Sequence, residues 1–309
     1  MKKMIGFLFL SLVILGCTSD ADNSANAFEK MNTNTTQSLT DISFINKNQG
    51  IICGSLGFLS KTNNGGKTWT HLNVGDNQTF MSAFMVNAQN FYTARLDLFA
   101  TSNSGATFKK NENLPVTSTI FAIKFFNPTK GLLIRSGSIF RSTDSGNNWK
   151  ETYNLSNSSN LEITSDLVAY AYGGYTSDAV DNGQILKTTD SGQTWVTTLN
   201  SDSNIISVSF ISDNIGYYVN TKMELQKTIN GSTTWVKITT LPFYPSSVCF
   251  INEKIGYIST YEGKILETKD AGLNWKIVHN EPAERIFKII TKDNAVFAIG
   301  DNGLFLRKR

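Results

Sequence analysis

The stretch Ser142-Thr143-Asp144-Ser145-Gly146-Asn147-Asn148-Trp149 decides how this chain reads, because it recurs. The pattern Ser/Thr-x-Asp-x-Gly-x-x-Trp returns in full at Thr188, Asp190, Gly192 and Trp195, and again at Thr268, Asp270, Gly272 and Trp275. Three other copies are degenerate. Asn64 replaces the acid ahead of Gly66 and Trp69, Asn103 does so ahead of Gly105 and Phe108, and Asn230 is followed by Ser232 and Trp235. All five tryptophans of the protein stand at this one position, so the position has a common task. A short acid or amide accepts hydrogen bonds from backbone N–H groups a few residues on, and glycine enters the left-handed conformation that a tight hairpin needs. The aromatic residue then opens the next strand with a large apolar face for covering a joint. Asn64, Trp69, Asn103, Phe108, Asp144, Trp149, Asp190, Trp195, Asn230, Trp235, Asp270 and Trp275 are therefore read as structural fasteners. The rival reading makes the acids calcium ligands or catalysts. Against it, three copies carry neutral Asn and each box holds a single carboxylate, whereas calcium takes about 6 to 8 oxygen ligands. No metal and no cofactor is expected.

Working outward, each turn is preceded by a segment of the type Gly-x-Ile-Leu-x-Thr, seen at Gly137 to Ser142, Gly183 to Thr188 and Gly263 to Thr268. Two apolar-alternating segments lie ahead of that one, so each unit reads as four short strands. In the sixth unit the strands are expected near Ser246 to Ile251, Ile255 to Thr260, Lys264 to Thr268 and Asn274 to His279. The turn aromatics fall at 69, 108, 149, 195, 235 and 275, giving spacings of 39, 41, 46, 40 and 40, which is the repeat length of propeller blades. Three more strands follow near Arg285 to Thr291, Ala295 to Gly300 and Gly303 to Arg307, with no seventh turn aromatic after them. The expectation is an all-β chain forming a seven-bladed β-propeller of four-stranded antiparallel blades over residues 27–309. A strand within Ala27 to Gln37 would complete the last blade and close the ring, because closure removes sheet edges. Six blades with a frayed end is the alternative, and the strong triplet of the final unit argues against it.

Composition is that of a globular protein, with 40% hydrophobic and 17% charged residues in 309. The formal charge of +3 becomes 3 − 2 = +1 once Lys2 and Lys3 are set aside, which leaves no electrostatic case for a nucleic-acid partner. Lys2 and Lys3 precede an apolar run from Ile5 to Leu15 that is short for a membrane span, and Ile14-Leu15-Gly16-Cys17 matches the lipobox of bacterial lipoproteins. That resemblance implies a signal peptide over 1–16, lipidation at Cys17 and a polar tether over 17–26. The chain would then be lipid-anchored in the bacterial cell envelope, extracytoplasmic, facing the periplasm or the surface. Cys53 and Cys249 lie in apolar strands of distant units and read as two core thiols rather than a disulfide. His71 and His279, the only histidines, have no metal-ligand spacing.

The repeated turn is the Asp-box, or BNR repeat. With these unit lengths and third strands, the chain resembles the photosystem II assembly and stability factor family of propellers, and more distantly sialidase and sortilin-type propellers. The first resemblance implies a non-catalytic protein-binding or assembly scaffold, engaging its client through an arginine patch. The chain departs from that, having only Arg95, Arg135, Arg141, Arg285, Arg307 and Arg309. The sialidase resemblance implies a glycoside hydrolase as the alternative, which needs converging arginines and paired carboxylates; the scattered arginines and the absence of a sialidase-type Arg-Ile-Pro argue against it. Boxes occupy one face of a propeller, so ligand sites are sought on the other, where the loops between second and third strands open. The spacing of 46 marks a loop insertion from Gly173 to Asn182 in blade four. Its Tyr175, Asp178 and Asp181 are candidate contacts for a protein or glycan, as is Tyr244 in Leu241-Pro242-Phe243-Tyr244-Pro245. A drifting surface loop and simple packing are the bland readings of these two segments. Titratable groups meeting in the central channel would favour an enzyme.

Overall fold

The computed structural model describes residues 27–114, 118–135, 137–154, 159–177 and 180–308. Within them the chain forms seven four-stranded antiparallel sheets and no helix. Blade six consists of Pro245–Phe250, Gly256–Thr260, Lys264–Thr268 and Lys276–Asn280, within two residues of the strands expected at each end. First strands of successive blades touch, and that of blade seven, Ile286–Lys292, returns to that of blade one, Leu39–Phe44. The ring is closed.

Closure occurs as the sequence predicts. The N-terminal strand Phe28–Met31 pairs antiparallel with Phe305–Lys308, in the register Phe28↔Lys308 to Met31↔Phe305, and becomes the outer strand of blade seven. Seven hydrophobic clusters fill the molecule, each spanning one joint between adjacent blades. In six of them the turn aromatic packs onto the preceding blade. Trp149 of blade three, for instance, sits with Tyr92, Ala94 and Leu98 of blade two, and Trp69 of blade one meets Phe305 of blade seven edge-on at 5.0 Å. Blade seven has no box of its own, and Phe28 of the closing strand takes that place against Tyr257 and His279 of blade six.

The boxes fasten their hairpins by a repeated set of bonds. The leading hydroxyl accepts the glycine N–H, Gly146 to Ser142 at 2.9 Å and Gly192 to Thr188 at 2.9 Å. The acid or amide oxygen accepts the N–H four residues on, Asn148 to Asp144 at 2.9 Å and Thr68 to Asn64 at 2.9 Å alike. Asn serves because one acceptor oxygen is all the backbone asks for. Its amide nitrogen then needs an acceptor, and all three Asn boxes supply a threonine there: Thr68, Thr107 and Thr234. Glycine is required at Gly192, where φ is +82° and an added Cβ would lie 2.4 Å from Leu132 of the preceding blade. Blade five places Ser232 in the same left-handed conformation, φ 72°. Its hydroxyl accepts the Trp235 indole N–H at 3.0 Å, a bond that Trp149 and Trp275 make to a glycine carbonyl instead.

Third strands carry a cation that reaches the box of the next blade. Lys61 donates to the Ser104 carbonyl, Arg141 to Ser191, Lys187 to Gly231 and Arg307 to Gly65. Two of the few arginines are thereby committed to architecture. Cys53 and Cys249 are buried free thiols, as expected. Blade four departs from expectation. Most of the segment anticipated as a loop is strand, because its second and third strands run on as Ala169–Thr176 and Asp181–Thr188, paired out to Thr176↔Asp181. From Gly174 to Thr176, and at Asp181 and Asn182 opposite, no residue is fully buried, so hydrophobic period gives no sign of the pairing.

Candidate functional site

The first strands surround a central channel of about 710 Å³. In blades one, two, five and six these strands carry serines that point at the next blade. Ser43 accepts the Met85 N–H at 3.0 Å, Ser82 that of Ile123 at 3.2 Å, Ser207 that of Val248 at 3.2 Å and Ser209 that of Phe250 at 2.9 Å. An inner strand has one edge with no strand beside it, and these side chains satisfy N–H groups that would otherwise be left bare in the wall.

Charged residues also line the channel: Asp41, Lys124, Glu162 and Lys288 along the wall, and Lys292 at the end of the last inner strand. Asp41 is buried and fully engaged. Its Oδ1 accepts from Ile42 N at 2.8 Å and Lys288 Nζ at 2.6 Å, and its Oδ2 from Ser82 Oγ at 3.1 Å and Ala83 N at 2.9 Å. Burial pushes its carboxyl up, but Lys288 and Lys124 outweigh burial and hold it below the ordinary carboxylate range. Burial lowers Lys288 while Asp41 raises it, with a net rise. Lys124 is lowered by burial and by Lys288, and Glu162 is raised by burial against the pull of Lys124 and Lys288. Titratable groups therefore do meet in the channel. Sequence reasoning named none of them, since they come from four blades. The available signal was the alternation of Ser in first strands, broken at 124, 162 and 288.

Loops between second and third strands, and links from one blade to the next, open on the face opposite the boxes. All four strongly exposed aromatic side chains among the described residues lie there: Phe121 38%, Tyr175 54%, Tyr244 39% and Tyr261 41%. Tyr244 and Tyr261 have ring centroids 6.5 Å apart, and Tyr261 lies 6.2 Å from Phe287. Phe121, Tyr261 and Phe287 line the channel itself, so the aromatic strip runs into its mouth.

Of the candidates from sequence, Tyr175 is exposed on the blade-four hairpin, opposite Asn182. Asp181 braces that hairpin against blade five, accepting from Thr221 Oγ1 at 2.5 Å and Asn204 N at 2.9 Å. Burial raises its carboxyl, but these bonds outweigh burial and hold it low. The phenol of Tyr244 is raised by burial, then by the charges of Tyr261 and Asp181, so Tyr244 and Asp181 share one neighbourhood. Asp178 and the lipidation position Cys17 lie outside the described residues. Among the described residues the arginines form no patch. Arg135 is buried, donating to Ser118 and Leu96 carbonyls, and Arg285 faces Asp301 at 3.9 Å. No group of three or more potential metal ligands occurs among the described residues.

A family profile described as "Photosynthesis system II assembly factor YCF48" matches residues 179–308. No curated protein sequence matches the chain. Among solved structures, YCF48 bound to D1 peptide superposes with a TM-score of 0.76 at 20% identity, covering 92% of this chain and 97% of that one. YCF48 from Cyanidioschyzon merolae gives 0.75 at 15% identity, covering 91% and 98%. The GH74 xyloglucanase from Xanthomonas campestris gives 0.70 at 12% identity, covering 91% of this chain and 53% of that one. The resemblance to photosystem II assembly factor propellers thus holds in both sequence profile and fold. At these identities the structural likeness speaks for fold alone.

Proposed function

We propose that this protein is a non-catalytic, protein-binding propeller of the bacterial cell envelope, holding a partner polypeptide on the face opposite the boxes. The observation that carries the reading is the confinement to that face of the strongly exposed Phe and Tyr side chains among the described residues. Aromatic side chains give large contact area at small entropic cost, and they concentrate where proteins bind. A propeller of the same shape is bound to a D1 peptide, so the architecture is one on which a peptide is held. The lipobox at Cys17 supplies the envelope part of the proposal. Phe28 pairs with Lys308, at the box end of blade seven, so a tether leading to it would leave the aromatic face turned away from the membrane.

The competing reading is a glycoside hydrolase, favoured by the GH74 likeness and by the channel carboxylates. Such enzymes need two carboxylates free to act. Asp41 has both oxygens engaged, which leaves Glu162 without a second unengaged acid among the described residues of the channel wall.

Photo-crosslinking residues placed at Tyr175, Tyr244 and, as a control on the box face, Lys67 would test the proposal in intact cells. Protein adducts from the first two positions and none from the third are expected. Adducts from Lys67 alone, or sugar release from envelope glycans that Glu162→Gln abolishes, would overturn it.

A further inference from the structure

Lys124 and Glu162 are the part of the channel that the architecture leaves unused. They occupy equivalent places on the inner strands of adjacent blades, each one residue before the last paired position, Lys124↔Leu132 and Glu162↔Tyr170. At the same level blades one and five carry Ser43 and Ser209, which cap the neighbouring strand. Lys124 and Glu162 do no such work. Lys124 Nζ has the ring of Phe84 as its near neighbour, 5.4 Å from the centroid. Glu162 receives no hydrogen bond, and it makes no ion pair within 4.0 Å among the described residues. Each is nevertheless close enough to the other to bias its protonation. Both side chains are only half-buried in the channel wall, and that partial burial pushes each toward its neutral form. Asp41 and Lys288 sit in the same wall and satisfy one another, so confinement alone does not explain the unpaired doublet.

We propose that Lys124 and Glu162 form a binding site for a compact zwitterion of the free amino-acid class, with the ligand's ammonium on Glu162 and its carboxylate on Lys124. Two fixed opposite charges, held apart in one cavity, complement a solute that carries both. Charge-assisted bonds to such a solute restore what each side chain lacks. The cavity has room for a ligand side chain as well, at about 710 Å³, and it opens at the loop-face mouth beside Phe121 and Tyr261. The site lies inside the channel whose mouth the aromatic face borders, but its test needs no polypeptide partner, so either reading can fail alone.

The test is calorimetric titration and thermal shift of the purified chain against the common L-amino acids, each compared with its N-acetyl and carboxamide derivatives. At least one amino acid is expected to bind, with both derivatives weaker by tenfold or more. Glu162→Ser and Lys124→Ser introduce the residue that other blades carry at this level, and each is expected to fold and to lose affinity by at least tenfold. Binding by none of the amino acids, binding of the derivatives as tight as the parent, or undiminished binding by both folded variants would each overturn the proposal. Should the variants fail to fold, the derivative series on the unaltered chain still decides it.

Discussion

At the scale of single residues the box is a hydrogen-bond device, and its chemistry makes the acid replaceable while the hydroxyl is not. Thr194 can accept from an amide as Thr68 does from Asn64, so Asp190→Asn should change stability by less than about 0.5 kcal/mol. Asp190→Ala removes the acceptor of two exposed N–H groups and should cost about 1 kcal/mol. Ser142→Ala strands the buried Gly146 N–H and should cost about 1 to 3 kcal/mol. Urea titration of the three variants orders them, and an Asp190→Asn as damaging as Asp190→Ala would reject the account. Such bonds are local, so their residues keep fixed spacing and the boxes were legible. Lys124 and Glu162 were not, because their own strands do not mark them and only comparison with the serines of other first strands would; the assembled ring is what brings 41, 124, 162 and 288 together.

Among elements the closing strand has the most to lose from small changes. Phe28 fills the seventh joint, and Phe28→Ala should destabilise by about 3 to 5 kcal/mol, loosening Phe28–Met31 before any other strand. Hydrogen exchange would show this as faster exchange at Arg307 and Phe305, the residues paired to it, ahead of blade three. Beneath Phe28 lies His279, buried, with neither ring nitrogen hydrogen-bonded. Burial lowers its pKa below the ordinary value of 6.5, against the pull of Glu284 and Glu281 and with a small push from Lys30. In the unfolded chain it takes up a proton near 6.5, earlier than in the folded one, so the stabilisation is complete above that pH and is lost as pH falls from there through the lower folded value. Melting temperature measured from pH 8 to pH 5 should drop through this window, and His279→Leu should flatten that part of the curve. An unchanged slope in the variant would show that another group is responsible. The strand's existence followed from the missing seventh aromatic. Its register did not, since Phe28 is one apolar residue in a polar run and only the geometry of the joint selects it.

For the whole molecule, the ring is closed at both radii: outside, the N-terminal strand completes blade seven, and inside, Asp41 of blade one pairs with Lys288 of blade seven. Lys288→Met leaves the buried acid with only the neutral donors Ile42 N, Ala83 N and Ser82 Oγ and should cost about 1 to 3 kcal/mol, a range reduced because Lys288 is partly solvent-exposed. Adding Asp41→Asn should recover most of the loss. Equilibrium denaturation of the two single variants and the double decides it, and strictly additive losses would count against a coupled pair. Blade number and closure were readable because every repeat writes the same joint. The working surface was not, because loops obey no repeat, and the blade-four hairpin holds its place through Asn204 and Thr221 of the following repeat. The pairing of Phe28–Met31 with Phe305–Lys308 also has a consequence in time. A ribosome adding roughly 5 to 20 residues per second takes on the order of 15 to 55 seconds between making the two partners. Throughout that interval the early strand must wait without a mate, and its own Glu29 and Lys30, with the Asn and Thr run that follows at 32 to 36, keep it hydrated and unattractive to other nascent strands until its partner emerges.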